Sequence, residues 1–334
     1  MDDESPGRGL RLAFAGAGHW HFRVDARYLE LARTSGAEIV GLSDDDEGTA
    51  RGRAAEAGCD WTTDVSELVE RFRPDLVIAL PRPGRAAAQV AQLLEYGMPL
   101  FAEKPLGISA KEVWTLVERA ERGWVTVAFP LRYQPIWPRL ERLRADGRLG
   151  TIGHVGVRQV AGPPSRYRSY GVPWMLDPRV AGGGPLRNIG IHLADILAHQ
   201  IGASSSRVIG AVQTRRMHGE PIEDFVAAVL ELEDGVIATL ETGYTFAPPR
   251  PGDMDIRVAT TGAYFIQRRA ELLVFPAEGQ SEVVSMEGRD LYRELFFDAL
   301  RRFRSGAPPV AAVRECAQAN ELIDAIYRSL ASTL

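Results

Sequence analysis

The order of hydrophobic and polar positions divides the chain into two textures. Up to residue 129, short apolar runs alternate with segments of helical period. Leu10–Ala15, Glu38–Ser43, Asp75–Leu80, Pro99–Ala102 and Trp124–Phe129 read as strands, with a strand-like piece at Cys59–Thr62. Between them, Trp20–Thr34, Val65–Phe72, Arg85–Tyr96 and Ala110–Arg122 carry the period of helices. This alternation predicts an α/β domain over residues 1–129, a parallel doubly wound sheet with helices on both faces. After Pro130 the period falls to two. His154–Val160, Ser206–Thr214, Phe225–Glu233, Val236–Thr245, Asp255–Thr260 and Leu272–Pro276 read as strands, and Asp234-Gly235 as a hairpin turn. Residues 130–334 are therefore expected to form a second α/β domain with a large, mostly antiparallel sheet. One face of such a sheet stays open and suits contact between subunits. Tyr292–Phe303 and Arg314–Ser332 read as helices, and the C-terminal helix over 310–334 is free to pack back on the first domain.

One stretch stands apart: Ala181–Gln200, AGGGPLRNIGIHLADILAHQ. Three glycines and a proline open it, so a helix is expected from near Pro185. Asn188, His192, Asp195 and His199 fall at i, i+4, i+7 and i+11, on one face of a helix that is otherwise nearly all apolar. A buried polar stripe must find partners. It can be a hydrogen-bond network that only fixes the helix, or an acid/base site.

Composition narrows the classes. The chain has 334 residues, 45% hydrophobic and 25% charged, the balance of a two-domain globular enzyme. The net charge of -5 and scattered arginines argue against nucleic-acid partners. Cys59 and Cys316 fit no disulfide or metal spacing, so no metal is expected. The acidic start, MDDESPG, has no apolar signal core after it, and no run approaches membrane-spanning length. A cytoplasmic protein without a membrane partner is the expectation.

The first strand leads into Gly16-Ala17-Gly18, and the second ends at Asp44. Strand, glycine turn, helix, strand and acid is the order of a dinucleotide-binding βαβ unit. The first glycine permits a tight turn, and the second lets backbone approach a pyrophosphate set against the N–H groups of the following helix. An acid at Asp44 would accept hydrogen bonds from the adenosine ribose and repel a 2′-phosphate, which favours NAD over NADP. The alternative for Asp44 is a helix cap, since Asp45, Asp46 and Glu47 crowd the same place. His21 replaces the third glycine of the motif, which implies a shifted helix. His19 and His21, flanking Trp20, would contact cofactor phosphates or simply pack. Pro81–Arg85 and Glu103–Pro105 lie at carboxyl ends of strands, which points Lys104 toward the cofactor region.

Four segments together resemble the Gfo/Idh/MocA family of nicotinamide-dependent oxidoreductases. They are Gly16-Ala17-Gly18, Glu103-Lys104-Pro105, WMLDPRVAGGGPLRN over 174–188, and Gly190-Ile191-His192-Leu193-Ala194-Asp195. Further similarity runs through EDFVAAVLELEDG at 223–235 and the helix around 321–329. The resemblance implies a Rossmann domain, a second domain with an open sheet, and a homodimer or homotetramer built through that sheet. It also implies sugars, cyclitols and their derivatives as substrates. Lys104 would stand beside the nicotinamide and the reacting hydroxyl, and His192 would be the general acid/base. Asn188 takes the place of a family aspartate; it can still hydrogen-bond a substrate hydroxyl, while Asp195 could take over orienting His192. Arg85 stands where the family often has histidine, near the nicotinamide end. Its charge would suit an anionic substrate unless a neighbouring acid pairs with it. The cofactor set is then Gly16, Gly18, His19, Trp20, His21, Asp44, Pro81, Arg82, Arg85, Glu103 and Lys104. Arg132, Tyr133 and Trp174 would wall the substrate beside Asn188 and His192.

The expected function is NAD-dependent oxidation or reduction at a hydroxyl or keto carbon of a sugar-like molecule. The departures at His21, Arg85 and Asn188 leave two alternatives. One is a dinucleotide-binding sensor or assembly subunit without turnover. The other is transient oxidation that assists elimination or glycoside cleavage with no net redox change.

Overall fold

In the computed structural model, which describes residues 9–202 and 206–332, six strands pair in parallel in the order β3-β2-β1-β4-β5-β6. The acidic N-terminus and the last two residues of the expected C-terminal helix lie outside the described residues. The strands are β1 (Arg11–Ala15), β2 (Glu38–Ser43), β3 (Trp61–Thr62), β4 (Leu76–Ala79), β5 (Leu100–Ala102) and β6 (Val125–Val127). β1 has β2 on one side and β4 on the other. The strand order therefore reverses beside β1, and in such sheets ligands bind beyond the carboxyl ends at that reversal. The apolar runs exist because both faces are covered: Leu12, Phe14, Val77 and Ile78 are fully buried.

The strands crowd together at the end of β1. Gly16 N–H and Ala17 N–H both donate to Ser43 O, at 2.9 and 3.1 Å, and Leu80 N–H donates to Ala15 O at 2.7 Å. Gly16 turns at φ +87, and a Cβ there would lie 2.4 Å from Leu80 O.

The segment expected as one helix over Trp20–Thr34 is two pieces. A 3-10 turn covers Trp20–Phe22, and α1 begins only at Tyr28 and runs to Thr34. Asp25 and Arg27 between them have left-handed backbone. His19 Nδ1 accepts the His21 N–H at 3.1 Å, a local bond that competes with the helical ladder. Two helices match the pattern closely: α3 at Val65–Phe72 and α4 at Pro83–Glu95. The helix expected after the acidic run, α2 (Glu47–Ala57), is capped by Asp46, whose side chain accepts from Thr49 N–H.

The second sheet has eight strands in the order β14-β13-β12-β11-β7-β10-β9-β8. They are β7 (Ile152–Val160), β8 (Ser206–Thr214), β9 (Phe225–Leu232), β10 (Ile237–Gly243), β11 (Asp253–Thr260), β12 (Ala263–Arg268), β13 (Glu271–Pro276) and β14 (Glu282–Ser285). Only the β7–β10 pairing is parallel. β12 and β14 were not read from the pattern, nor was the helix Ile136–Ala145. One face is core, with Val157, Leu230, Leu240, Ile256 and Leu272 buried. On the other, register carries one row across the sheet, from Val229 through Thr239, Gly156, Arg257, Ile266 and Leu273 to Val283. Val229 is 42% exposed and Val283 67%.

Two compact units result. The first runs to Gly107 and takes in Thr115–Ala128 and Phe296–Val313; the second comprises Ile108–Trp114, Phe129–Leu295 and the chain from Arg314. Among the described residues no helix is long and apolar enough to cross a membrane.

Gly16→Ala should destabilise the protein by more than about 2 kcal/mol, because the new methyl meets backbone at a left-handed φ. Gly36→Ala is the comparison: φ is +71 but nothing lies within 4 Å, so about 1 kcal/mol is expected. Urea unfolding of both variants measures the difference.

Candidate functional site

A cavity of about 440 Å³ opens at the carboxyl ends of β1, β2 and β4, in the range of small-molecule sites (about 300–1,000 Å³). Gly16, His19, Asp44, Asp45, Arg82 and Arg85 are among its lining residues. Asp44 is buried and follows β2 directly. Its Oδ2 accepts the Gly18 N–H at 2.7 Å and its Oδ1 accepts the Asp46 N–H at 3.2 Å. The helix-cap alternative falls to Asp46, and Asp44 instead fastens the glycine turn to the second strand. Each Asp44 oxygen has a further lone pair for a ligand hydroxyl. Burial raises the Asp44 carboxyl, and the two backbone N–H bonds oppose that rise.

The residues fit the adenosine end of a dinucleotide: an acceptor at the end of β2, a glycine crossing and a cavity beside both. The phosphate end departs from expectation. The N–H groups of Gly16, Ala17, Gly18 and His19 already donate to Ser43 O, Ser43 O, Asp44 Oδ2 and Gly16 O. The glycine turn thus leads into a three-residue 3-10 turn rather than the N-terminus of a long helix.

The resemblance sets Arg85 near the nicotinamide end; in the structure its guanidinium reaches Asp45 at the edge of the cavity. Arg85 Nη1 lies 2.7 Å from Asp45 Oδ2, the ion pair that was its other reading. Arg82 Nη2 lies 3.1 Å from Asp45 Oδ1 and 4.0 Å from Asp44 Oδ1. Pro81 is buried behind this edge.

Trp20 and His21 are buried and do not line the cavity. His21 turns inward, its Nδ1 2.8 Å from Glu103 Oε1, and Tyr28 Oη donates to the same oxygen at 2.6 Å. Burial works to raise the Glu103 carboxyl. Electrostatic attraction and a hydrogen bond from His21, with the Lys104 ammonium, outweigh it and bring the carboxyl down to about 2. Glu103 and Lys104 follow β5 directly, and both are buried. His19 stacks on Trp20 with ring centroids 3.9 Å apart. Burial, then the neighbouring His21, lowers its pKa well below the ordinary value.

In the second unit, Pro185–Gln200 is not one regular helix. Short helices at Pro185–Asn188 and Gly190–Asp195 are separated at Ile189, and a π-turn follows over Ile196–Gln200. The polar stripe accordingly finds separate partners. The Asn188 amide donates to Tyr167 Oη at 2.7 Å and Tyr244 Oη at 3.2 Å. Arg166 lies over both tyrosine rings and donates to Tyr167 Oη. His192 meets the Phe129 ring edge-on, with centroids 5.8 Å apart. The carboxylate of Asp195 takes both Nε and Nη2 of Arg132. His199 Nε2 lies 3.2 Å from Glu315 O.

Arg132 also donates to Glu315, at 3.0 Å, and is held strongly charged despite its burial. That commitment leaves it a weak candidate for a substrate wall, whereas Trp174 and Tyr133 are half-buried. Arg166, Tyr167 and Tyr244 were missed from sequence. Arg166 and Tyr167 fall in a four-residue helix, Arg166–Ser169, too short to show a period, and Tyr244 falls inside the strand read at Val236–Thr245 with nothing to mark its hydroxyl.

Two family descriptions match the chain. "Oxidoreductase family, NAD-binding Rossmann fold" covers residues 10–129, and the GFO/IDH/MocA C-terminal domain covers 137–265. The chain belongs to the GFO/IDH/MocA family of oxidoreductases, whose N-terminal domain binds NAD. Inositol 2-dehydrogenase 2 of Saccharopolyspora erythraea is 28% identical over 62% of this chain and 59% of its own length. The scyllo-inositol 2-dehydrogenase (NAD(+)) of Bacillus subtilis is 25% identical over 82% and 81%. Levoglucosan dehydrogenase in complex with NADH and levoglucosan shares the fold, with a TM-score of 0.83 at 18% identity over 97% and 98%.

The unfolded chain takes up a proton at His19 near pH 6.5 and the folded chain resists it, so stability should fall as pH drops below that value. In urea titrations the midpoint should decline between about pH 7.5 and 5.5. His19→Asn, which keeps an acceptor for the His21 N–H, should flatten that slope.

Proposed function

We propose that the protein is an NAD-dependent dehydrogenase or reductase acting at a hydroxyl or keto carbon of a sugar, cyclitol or related derivative. One observation carries this reading: the cavity at the ends of β1, β2 and β4, with the buried Asp44 beside the Gly16 crossing. Relatives named as inositol dehydrogenases support the substrate class. NAD, when bound, accepts the substrate hydride or returns it. The chain's own residues must manage the proton and the charge on oxygen. His192 is the group suited to take the hydroxyl proton near neutral pH. Lys104 supplies a positive charge that stabilises alkoxide character, and in reverse it polarises a ketone. Asn188, whose amide donates to Tyr167 and Tyr244, also carries a carbonyl oxygen, the kind of group that accepts from a sugar hydroxyl. Trp174 and Tyr133 offer flat faces to a sugar ring.

Val229 and Val283, exposed at the two ends of that row, support assembly of copies through the open sheet. Lysine at both positions should shift wild-type dimers or tetramers toward monomer in sedimentation velocity. A wild-type monomer overturns this part.

His192→Ala and Lys104→Ala should each lower kcat/KM on an active cyclitol or sugar by about 10²–10⁴-fold. Stopped-flow absorbance of the nicotinamide follows the turnover. Full turnover by both variants overturns the assignment. Product formed with no net change in absorbance would favour elimination or glycoside cleavage instead.

A further inference from the structure

The ribose edge of the cavity holds more charge than NAD requires. Asp44, Arg82, Asp45 and Arg85 form a line along it, two carboxylates alternating with two guanidiniums. Asp45 Oδ1 takes Arg82 Nη2 at 3.1 Å, and Asp45 Oδ2 takes Arg85 Nη1 at 2.7 Å. One carboxylate therefore holds one arginine on each oxygen. Asp44 serves a different purpose, being buried and bonded to the Gly18 and Asp46 N–H groups.

Guanidiniums beside the ribose acid are the groups that read a 2′-phosphate, through forked charge-assisted hydrogen bonds. Here both are present, and both are engaged by Asp45. We propose that Asp45 is a specificity-determining residue: it occupies Arg82 and Arg85 and thereby makes the chain select NAD over NADP. This rests on the assignment of the cavity to a dinucleotide.

The charge count gives the direction. With Asp44 and Asp45 against Arg82 and Arg85, the four formal charges cancel. A 2′-phosphate gains little from arginines already paired, and it meets the Asp44 carboxylate as well. Neutralising Asp45 leaves the edge with one net positive charge and releases both guanidiniums from their carboxylate. Neutralising Asp44 has the same formal charge but removes the ribose acceptor and the tie to Gly18, so it does not mimic the first change. Asp45 is 36% exposed and Arg85 71% on their side chains, so the effect is screened by salt.

The test is equilibrium binding of NAD⁺ and of NADP⁺ by isothermal titration calorimetry, on the full chain without substrate. Wild type should bind NAD⁺ more tightly than NADP⁺. Asp45→Asn, and independently Asp45→Ser, should move the NADP⁺-to-NAD⁺ affinity ratio toward NADP⁺ on the order of tenfold or more. The shift should shrink as salt is raised. Adding Arg82→Ala and Arg85→Ala to Asp45→Asn should return the ratio toward wild type. A ratio unmoved in both Asp45 variants, or a wild type that binds NADP⁺ as tightly as NAD⁺, overturns the role of Asp45 alone. A wild type that binds neither dinucleotide overturns the cavity assignment beneath it.

Discussion

The constraint on which the first unit depends is the closeness of three strands at one point. The backbone leaving β1 passes so near β2 and β4 that two N–H groups share Ser43 O and a third bond ties Leu80 to Ala15. Only a residue without a Cβ, turned to positive φ, can make that passage. Everything that defines the cavity follows from it. Asp44 is brought to Gly18, and the turn after β4 with the first turn of α4 carries Arg82 and Arg85 to the same edge. An apolar sheet dictates the crossing, because the buried strands leave no room to splay apart.

Polar groups near that sheet survive burial by pairing. Glu103 is ionised in an apolar setting because His21 and Lys104 are beside it and Tyr28 donates to it. Arg132 is buried in the second unit on the same terms, with Asp195 and Glu315 as its counter-charges. Breaking one member of either set would leave a buried charge without compensation, which is costlier than never having had the pair.

The alternation of apolar runs made the parallel sheet legible, since a strand buried on both faces has a short continuous signature. Gly16 and Asp44 were legible for the same reason, each marking the end of such a run. What escaped was local chemistry that competes with periodicity. The His19 side chain bonds the His21 backbone and stops a helix that the pattern extends from Trp20. Ile189 interrupts a run whose apolar spacing looks continuous. β12 was missed although AYFIQR alternates in burial, because Gln267 and Arg268 dilute its apolar count. Ion-pair choices such as Asp45 with Arg85 and Asp195 with Arg132 join residues 40 and 63 positions apart, and spacing along the chain does not encode them.

The interruption at Ile189 also divides the anchoring of the two short helices that flank it. Asn188 is seated by two tyrosine hydroxyls, whereas the turn that carries His192 is pinned downstream through Asp195 and Arg132. With separate moorings, the amide position can exchange its chemistry while the imidazole keeps its seat.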